Sequence, residues 1–165
     1  MIARRLLSVA CIWLALSAPL AAQEIKHFEP ESFSKILVAH TNRPLIIALW
    51  SIDCPHCPDD LALLGALLKK YPALDAVVIA TDAPRDIPAI TATLARYHLE
   101  QVEAWVFAND FVEQLRYAID RRWQGELPRT YLYSANGAVR AISGKLTLPQ
   151  MQSWIELQMT LARRP

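Results

Sequence analysis

Two cysteines, Cys54 and Cys57, stand three residues apart and are the residues of this sequence best suited to chemistry. An apolar run at 45–50 precedes them and a leucine-rich segment at 61–68 follows, which predicts a buried strand, a tight connection and a helix. We expect Cys54 in the first helical turn, where unpaired backbone N–H groups and the helix dipole favour thiolate over thiol. Cys54 is therefore the candidate nucleophile, and Cys57 is placed to resolve a mixed disulfide.

The residues around the two cysteines add further expectations. Pro55 suits an early helical position because its missing N–H costs nothing there. His56 can carry positive charge or donate a hydrogen bond near the Cys54 sulfur, which would lower the pKa of that thiol. Asp60 is expected on the same helix face as Cys57, where its carboxylate can accept the Cys57 proton. The alternative for Asp60 is the ordinary preference of acidic residues for a first helical turn.

Residues 1–22 have the pattern of a secretory signal peptide. Two arginines near the start are followed by an apolar stretch at 6–16, and small residues ending in Ala22 precede a polar pair. An uncleaved membrane anchor is the alternative, although the apolar stretch is short for a span. We predict cleavage after Ala22 and a mature domain of residues 23–165 in the periplasm.

The predicted mature chain has 143 of the 165 residues, with 15 basic and 16 acidic side chains and a net charge of −1. This size fits one domain with its own core, and the balanced charge argues against nucleic acid as a partner. Cys54 and Cys57 are the only cysteines left. Two cysteines cannot build a structural disulfide framework or complete a four-cysteine zinc site, so the composition favours redox chemistry.

The rest of the chain alternates apolar runs with amphipathic segments, which predicts an α/β domain. Strands are predicted at 45–50, 75–81, 102–108, 130–134 and 138–142. Helices are predicted at 29–40, 58–70, 87–98, 111–119 and 148–161. The dipeptide Asn136-Gly137 predicts a two-residue hairpin turn between the last two strands. The first two strands would form a β-α-β unit with both cysteines at the carboxyl end of a strand, where open α/β sheets have their sites.

This order of elements resembles the thioredoxin fold and, within it, the exported TlpA-like thiol-disulfide oxidoreductases. The resemblance rests on the strand-to-helix motif at 50–57, on the extra helix and strand at 87–108, and on the segment Leu-Pro-Arg-Thr-Tyr-Leu-Tyr-Ser-Ala-Asn-Gly at 127–137. It implies a central mixed sheet of about five strands flanked by helices, with a TlpA-type helix-strand insertion. It also implies a redox-active disulfide between Cys54 and Cys57 and no other cofactor.

The same resemblance implies roles for residues outside the motif. It implies a cis peptide bond before Pro128, which would face the cysteines, and a Leu127 backbone that pairs with a strand-like substrate segment. A trans proline at a strand start is the alternative. Pro55 and Trp123 are candidate substrate contacts, Trp123 as part of an apolar docking surface near Cys54.

Arg129 follows Pro128 directly, and two interpretations are open for it. It can counter a nearby acid or touch a partner, or it can be a solvated surface arginine. We expect the solvated arginine.

The leading hypothesis is an exported, monomeric thiol-disulfide oxidoreductase. The resemblance implies clients such as apocytochrome c or copper-site assembly proteins, whose disulfides would be reduced or exchanged, and a membrane-bound electron donor or acceptor. The Pro-His dipeptide is the one found in the strongly oxidising DsbA, so a disulfide-introducing oxidase on the same scaffold is an alternative. Asp53, where the family commonly has Trp, would raise the pKa of Cys54. A copper- or zinc-binding module using Cys54, His56 and Cys57 is the third hypothesis.

Overall fold

The computed structural model describes residues 23–162, which form one mixed sheet with helices on both faces. The predicted signal peptide, residues 1–22, lies outside the described residues. Within the described part of the chain, no helix combines the length and the apolar character needed to cross a membrane.

The sheet has six strands in the order β1-β4-β3-β2-β5-β6. Their bounds are β1 (Ile25–Phe28), β2 (Leu45–Trp50), β3 (Asp75–Ala80), β4 (Glu103–Phe107), β5 (Arg129–Tyr133) and β6 (Val139–Ser143). The first four strands run parallel to one another, β5 runs antiparallel to β2, and β6 runs antiparallel to β5. The predicted mixed sheet is confirmed.

Strand β1 is the one strand that the sequence pattern does not predict. It has four residues, of which only Phe28 is buried, so it lacks the apolar run that marks the central strands. It pairs with β4 at one edge of the sheet, where Phe28 stacks on Phe107 with 5.6 Å between ring centroids. Tertiary pairing therefore creates this strand.

The described residues form five α-helices, of which the first four connect strands and the last follows β6: α1 (Ser32–Ala39), α2 (Cys57–Lys70), α3 (Ile87–Arg96), α4 (Val112–Ile119) and α5 (Leu148–Ala162). Each predicted helix is present, with ends that differ by a few residues from the prediction. Side chains of α2, α3 and α5 pack on one face of the sheet, and side chains of α1 and α4 pack on the other. All six residues of β2 are buried between these layers, as expected for a central strand.

Three loops converge where β2 ends. The Thr81 N–H donates to the Trp50 carbonyl at 2.9 Å, so the loops after β2 and β3 begin side by side. On the other side of β2, Arg129 of β5 pairs with Leu49. Because β5 is antiparallel to β2, the chain that enters β5 through Pro128 lies beside the chain that leaves β2 toward the cysteines.

Candidate active site

Cys54 and Cys57 form a disulfide, with 5.4 Å between their Cα atoms. Cys57 is the first residue of α2, and Cys54 lies three residues before it. The prediction that Cys54 belongs to the first helical turn is therefore wrong. Two successive turns precede the helix, closed by hydrogen bonds from the Cys54 N–H to the Ser51 carbonyl (3.2 Å) and from the Cys57 N–H to the Cys54 carbonyl (3.3 Å).

Pro55 lies in the second of these turns and is exposed. The early helical position predicted for it is occupied by Pro58 instead. An exposed Pro55 beside Cys54 is accessible to a substrate, and its role as a substrate contact stays a prediction.

The Cys54 sulfur nevertheless lies at the amino end of α2. The Cys57 N–H donates to the Cys54 Sγ at 3.1 Å. An N–H bond to sulfur and the positive end of the helix dipole both stabilise a thiolate relative to a thiol. Cys54 is 8% exposed and Cys57 is 0% exposed, so Cys54 is the only one of the two cysteines that reaches the surface.

The two charged neighbours of Cys54 are both exposed. His56 occupies the N-cap position of α2, and in the part of the chain that the structure describes its ring makes no hydrogen bond to Cys54. The backbone N–H of Asp53 donates to the Ser51 Oγ at 3.2 Å, and the residue is exposed to solvent. The predicted hydrogen bond from His56 to the Cys54 sulfur is absent from this disulfide form.

Asp60 is a buried carboxyl group, 5% exposed, one helical turn after Cys57. Its Oδ1 accepts a hydrogen bond from the Leu146 N–H at 2.9 Å. Its Oδ2 is buried and has no partner among the described residues. Burial raises the pKa of Asp60 above its ordinary value, although the bond from Leu146 opposes this. The group is thus a carboxyl with a free buried oxygen beside the inner cysteine.

The peptide bond between Leu127 and Pro128 is cis, as the resemblance implies. The Pro128 carbonyl accepts a hydrogen bond from the Gly144 N–H at 2.9 Å, and the Leu127 side chain packs against the buried cluster that contains both cysteines. No backbone hydrogen bond joins Leu127 to another residue that the structure describes. Its N–H and carbonyl are available to pair with an extended segment.

Trp123 does not form a docking surface. The ring is 4% exposed and packs with the core side chains of α4, and its Nε1–H donates to the Glu126 carbonyl at 2.9 Å. A buried indole needs such a partner for its N–H. The buried Trp123 ring therefore anchors the loop that leads to Pro128 to the core. The prediction that Trp123 contacts the substrate is wrong.

Arg129 is half-buried rather than solvated, with 12% of its side chain exposed. Its guanidinium donates to Asp120 Oδ2 at 3.1 Å and to Glu126 Oε1 at 3.0 Å. The Tyr131 hydroxyl donates to the same Asp120 oxygen at 3.2 Å. Burial raises the pKa of Tyr131 to about 12, which keeps this donor protonated.

This ion-pair network ties the loop at 120–128 to β5. The expected solvated Arg129 is therefore wrong, and the alternative, in which Arg129 counters a nearby acid, is confirmed. The only sequence signal for this network is the presence of acidic residues on both sides of Trp123.

Residues 23–162 contain no group of three or more His, Cys, Asp or Glu side chains arranged to hold a metal ion. Cys57 is entirely buried while His56 is exposed. The two thiols and the imidazole required by the copper- or zinc-binding hypothesis therefore do not converge.

No protein-family model matches the sequence, and no curated protein matches it. Solved structures do resemble its fold. A secreted Mycobacterium tuberculosis disulfide oxidoreductase, described as homologous to E. coli DsbE, has a TM-score of 0.60 at 20% identity, over 73% of this chain and 85% of that one. A thioredoxin-family thiol:disulfide interchange protein from Chlorobium tepidum TLS has a TM-score of 0.59 at 15% identity, over 74% and 83%. DsbF from M. tuberculosis has a TM-score of 0.57 at 15% identity, over 73% and 84%.

The chain has the thioredoxin fold. The helix-strand insertion predicted at 87–108 corresponds to α3 and β4, and β4 lies between β3 and the edge strand β1. In this thioredoxin fold the disulfide, the buried Asp60 carboxyl and the cis Pro128 segment meet at the carboxyl end of β2, and that meeting point is the candidate active site.

Proposed function

We propose that this protein is a thiol-disulfide oxidoreductase that acts on exported proteins. The observation that carries the proposal is the Cys54–Cys57 disulfide at the amino end of α2, with only the Cys54 sulfur near the surface and with the Cys57 N–H bonded to it. A structural disulfide needs neither a reachable sulfur nor a backbone donor aimed at it. A nucleophile that must leave and re-form a disulfide needs both.

In the proposed reaction the reduced protein attacks a client disulfide. The Cys54 thiolate bonds to one client sulfur, and the other client sulfur leaves as a thiolate. The Cys57 thiolate then attacks the Cys54 Sγ, which forms the internal disulfide and releases the second client thiolate. Two electrons pass from this protein to the client, and the disulfide in the structure is the oxidised product of the cycle.

Asp60 and Leu127 are given supporting roles in this reaction. The unpartnered Asp60 Oδ2 accepts the proton that Cys57 must lose before it can attack. The free backbone groups of Leu127 pair with an extended client segment and place its disulfide beside Cys54. We assign no other cofactor, and Pro55 is assigned to the client contact.

The setting of the reaction follows from the predicted signal peptide. We propose a periplasmic, monomeric protein whose clients are exported proteins with disulfides, such as apocytochrome c or copper-site assembly proteins. A membrane-bound thiol donor would restore the dithiol after each cycle. The exposed His56 beside Cys54 supports a second candidate, a DsbA-like oxidase, because an imidazolium there would stabilise the Cys54 thiolate and raise the reduction potential.

A trapping experiment tests the proposed function. Cys57→Ser is expected to accumulate a mixed disulfide between Cys54 and exported client proteins, because the resolving thiol is missing. Cys54→Ser is the matched control and is expected to trap nothing, since Cys57 is buried. If neither variant gives a mixed disulfide that a reductant dissolves, the exchange mechanism is wrong. The reduction potential, measured against glutathione, separates a reductase from an oxidase.

Asp60→Asn is expected to slow release of the client from the mixed disulfide by about 100-fold, because a positioned proton acceptor contributes about that factor or more. Asparagine can keep the bond to the Leu146 N–H through its amide oxygen. Stopped-flow measurement of mixed-disulfide decay checks the rate. Asp59→Asn, an exposed neighbour on the same helix, is the control and is expected to leave the rate unchanged. Equal rates for wild type and Asp60→Asn would remove the proton-acceptor role.

The stability of Asp60→Asn is expected to depend on pH in a defined direction. Because burial raises the pKa of Asp60 above 3.8, the folded state binds this proton more tightly than the unfolded state. The stability that this bound proton adds to the folded wild-type protein is fully present below about pH 3.8 and is lost as the pH rises through the folded-state pKa of Asp60. The unfolding free energy of Asp60→Asn relative to wild type should therefore increase as the pH rises from about 4.

Asp59→Asn provides the opposite trend in the same urea-unfolding series. The hydrogen bond from Lys145 lowers the pKa of Asp59, so this variant should lose stability relative to wild type as the pH rises. If the unfolding free energy relative to wild type changed with pH in the same direction for both variants, Asp60 would not be a buried carboxyl that retains its proton.

A further inference from the structure

Asp82, the second residue after β3, holds the loop that carries Cys54, and the mechanism above does not use it. Its Oδ1 accepts a hydrogen bond from the Ser51 hydroxyl at 2.8 Å. Its two carboxylate oxygens lie 3.3 and 3.2 Å from the Ile52 N. Ser51 and Ile52 are the first residues after β2, so one side chain joins the ends of the two central strands.

Ser51 connects Asp82 to Cys54 through hydrogen bonds. The Ser51 Oγ, which donates to Asp82, also accepts a hydrogen bond from the Asp53 N–H at 3.2 Å. The Ser51 carbonyl accepts the Cys54 N–H at 3.2 Å. Two hydrogen bonds therefore connect the Asp82 carboxylate to the Cys54 backbone, and the turn of residues 51–54 has Asp82 as its anchor.

The anchor is half-buried and acidic. Burial raises the pKa of Asp82, the bonds from Ser51 and Ile52 oppose that rise, and the neighbouring carboxylates of Asp86 and Asp53 add to it. The nearby cation Arg85 is 4.0 Å from Asp86 and is 80% exposed, so it pairs there rather than with the anchor. Once ionised, Asp82 is a fixed negative charge next to the turn, and such a charge disfavours a nearby thiolate.

We propose that Asp82 is a positioning residue of the redox site, which fixes the turn at 51–54 through Ser51 and makes the cysteine pair more reducing through its charge. A negative charge destabilises the thiolate of the reduced form and leaves the disulfide unaffected, so the reduction potential falls. The consequence for electron flow rests on the proposed function. The effect on Cys54 reactivity does not.

Two substitutions separate the charge from the hydrogen bonds. Asp82→Asn removes the charge and keeps an amide oxygen for the Ser51 hydroxyl or the Ile52 N–H. Ser51→Ala keeps the charge and removes the hydroxyl, and Ser51→Thr restores a hydroxyl at the same place. Asp110→Asn is the matched control, since it removes an exposed carboxylate from the loop after β4 at the same end of the sheet.

The first measurement is the rate at which iodoacetamide alkylates Cys54 between pH 5 and 9, in reduced protein that also carries Cys57→Ser. Asp82→Asn is expected to increase the rate at pH 6 by roughly three- to tenfold, since one pKa unit of the thiol changes the thiolate fraction tenfold. Asp110→Asn should leave the rate unchanged. Ser51→Ala should lower the rate, because a loosened turn no longer holds the sulfur at the helix end, and Ser51→Thr should restore it.

The second measurement is the equilibrium of the Cys54–Cys57 pair with glutathione. Asp82→Asn is expected to shift this equilibrium toward the dithiol at alkaline pH, where the reduced form carries the thiolate that the Asp82 charge destabilises. An unchanged profile in Asp82→Asn, or an equal change in Asp110→Asn, would overturn the role of the charge. Should Asp82→Asn fail to fold, equal rates for Ser51→Ala and Ser51→Thr would overturn the anchor. If both Asp82→Asn shifts appear but the wild-type protein exchanges no disulfide with exported client proteins, the proposed function fails and this inference stands.

Discussion

Gly65→Ala is expected to destabilise the folded protein by about 3 kcal/mol, as overpacking of a buried position does. Gly65 is buried in α2, and a Cβ placed there would lie 2.0 Å from the Tyr97 carbonyl oxygen at the end of α3. The obstacle is backbone, so no side-chain rotation relieves the clash. Alanine gains about 1 kcal/mol over glycine in helix propensity, and the clash outweighs that gain.

Urea unfolding of the oxidised protein measures the effect of Gly65→Ala. Ala66→Val is the matched control, because it adds carbon atoms to the exposed face of the same helix turn and should cost about 0.5 kcal/mol through propensity alone. An alanine at 65 that leaves the midpoint unchanged or raises it would mean that α2 and α3 are not packed this closely. Since α2 carries Cys57 and Asp60, a shift of the helix should also slow disulfide exchange.

Asp120→Ala is expected to cost about 2 to 3 kcal/mol of unfolding free energy, somewhat less than full loss of a buried ion pair. The substitution removes one of two carboxylates that face Arg129, whose side chain is 12% exposed, and leaves the Tyr131 hydroxyl without its acceptor. Glu126 still pairs with Arg129 from a more exposed position, which limits the loss. Urea unfolding at pH 7 measures it.

The double variant Asp120→Ala with Arg129→Met is the control for this network. Methionine removes the guanidinium that the single variant leaves poorly paired, so the double variant should be more stable than Asp120→Ala alone. A double variant that is less stable by the sum of both single losses would show that the pair does not interact.

The pH dependence of this network has a defined sign. The bond from the Arg122 N–H, together with those from Tyr131 and the nearby arginines, holds the pKa of Asp120 below its ordinary value. The stability that ionised Asp120 adds to the folded protein is present above its unfolded-state pKa, near 3.8, and is lost as the pH falls through its folded-state pKa. The difference between wild type and Asp120→Ala should therefore shrink below about pH 4.

Local sequence patterns determined the redox motif, five of the six strands and all five helices. Continuous apolar runs are sufficient evidence for β2, β3 and β4, because a strand that is buried on both faces has apolar residues at successive positions and not only at every second one. The hairpin predicted from Asn136-Gly137 does join β5 to β6, but its connection has the five residues 134–138 and not two, and the Gly137 N–H closes a turn on the Ser134 carbonyl. The spacing of Cys54 and Cys57 was sufficient to predict that their sulfurs can react with each other, since residues three apart in a turn before a helix are within reach of one another.

Contacts between distant parts of the chain decided the rest. Strand β1 exists because it pairs with the edge of β4. Trp123 is buried because it packs with side chains of α4 and β5, and Arg129 is half-buried because Asp120 and Glu126 pair with it. The same holds for the bond from Leu146 to Asp60, which spans 86 residues, and for the bond from Ser51 to Asp82, which spans 31. A sequence specifies short-range geometry through backbone preferences and periodicity, whereas the partner of a buried polar group depends on how the layers pack, and only the folded chain contains that information.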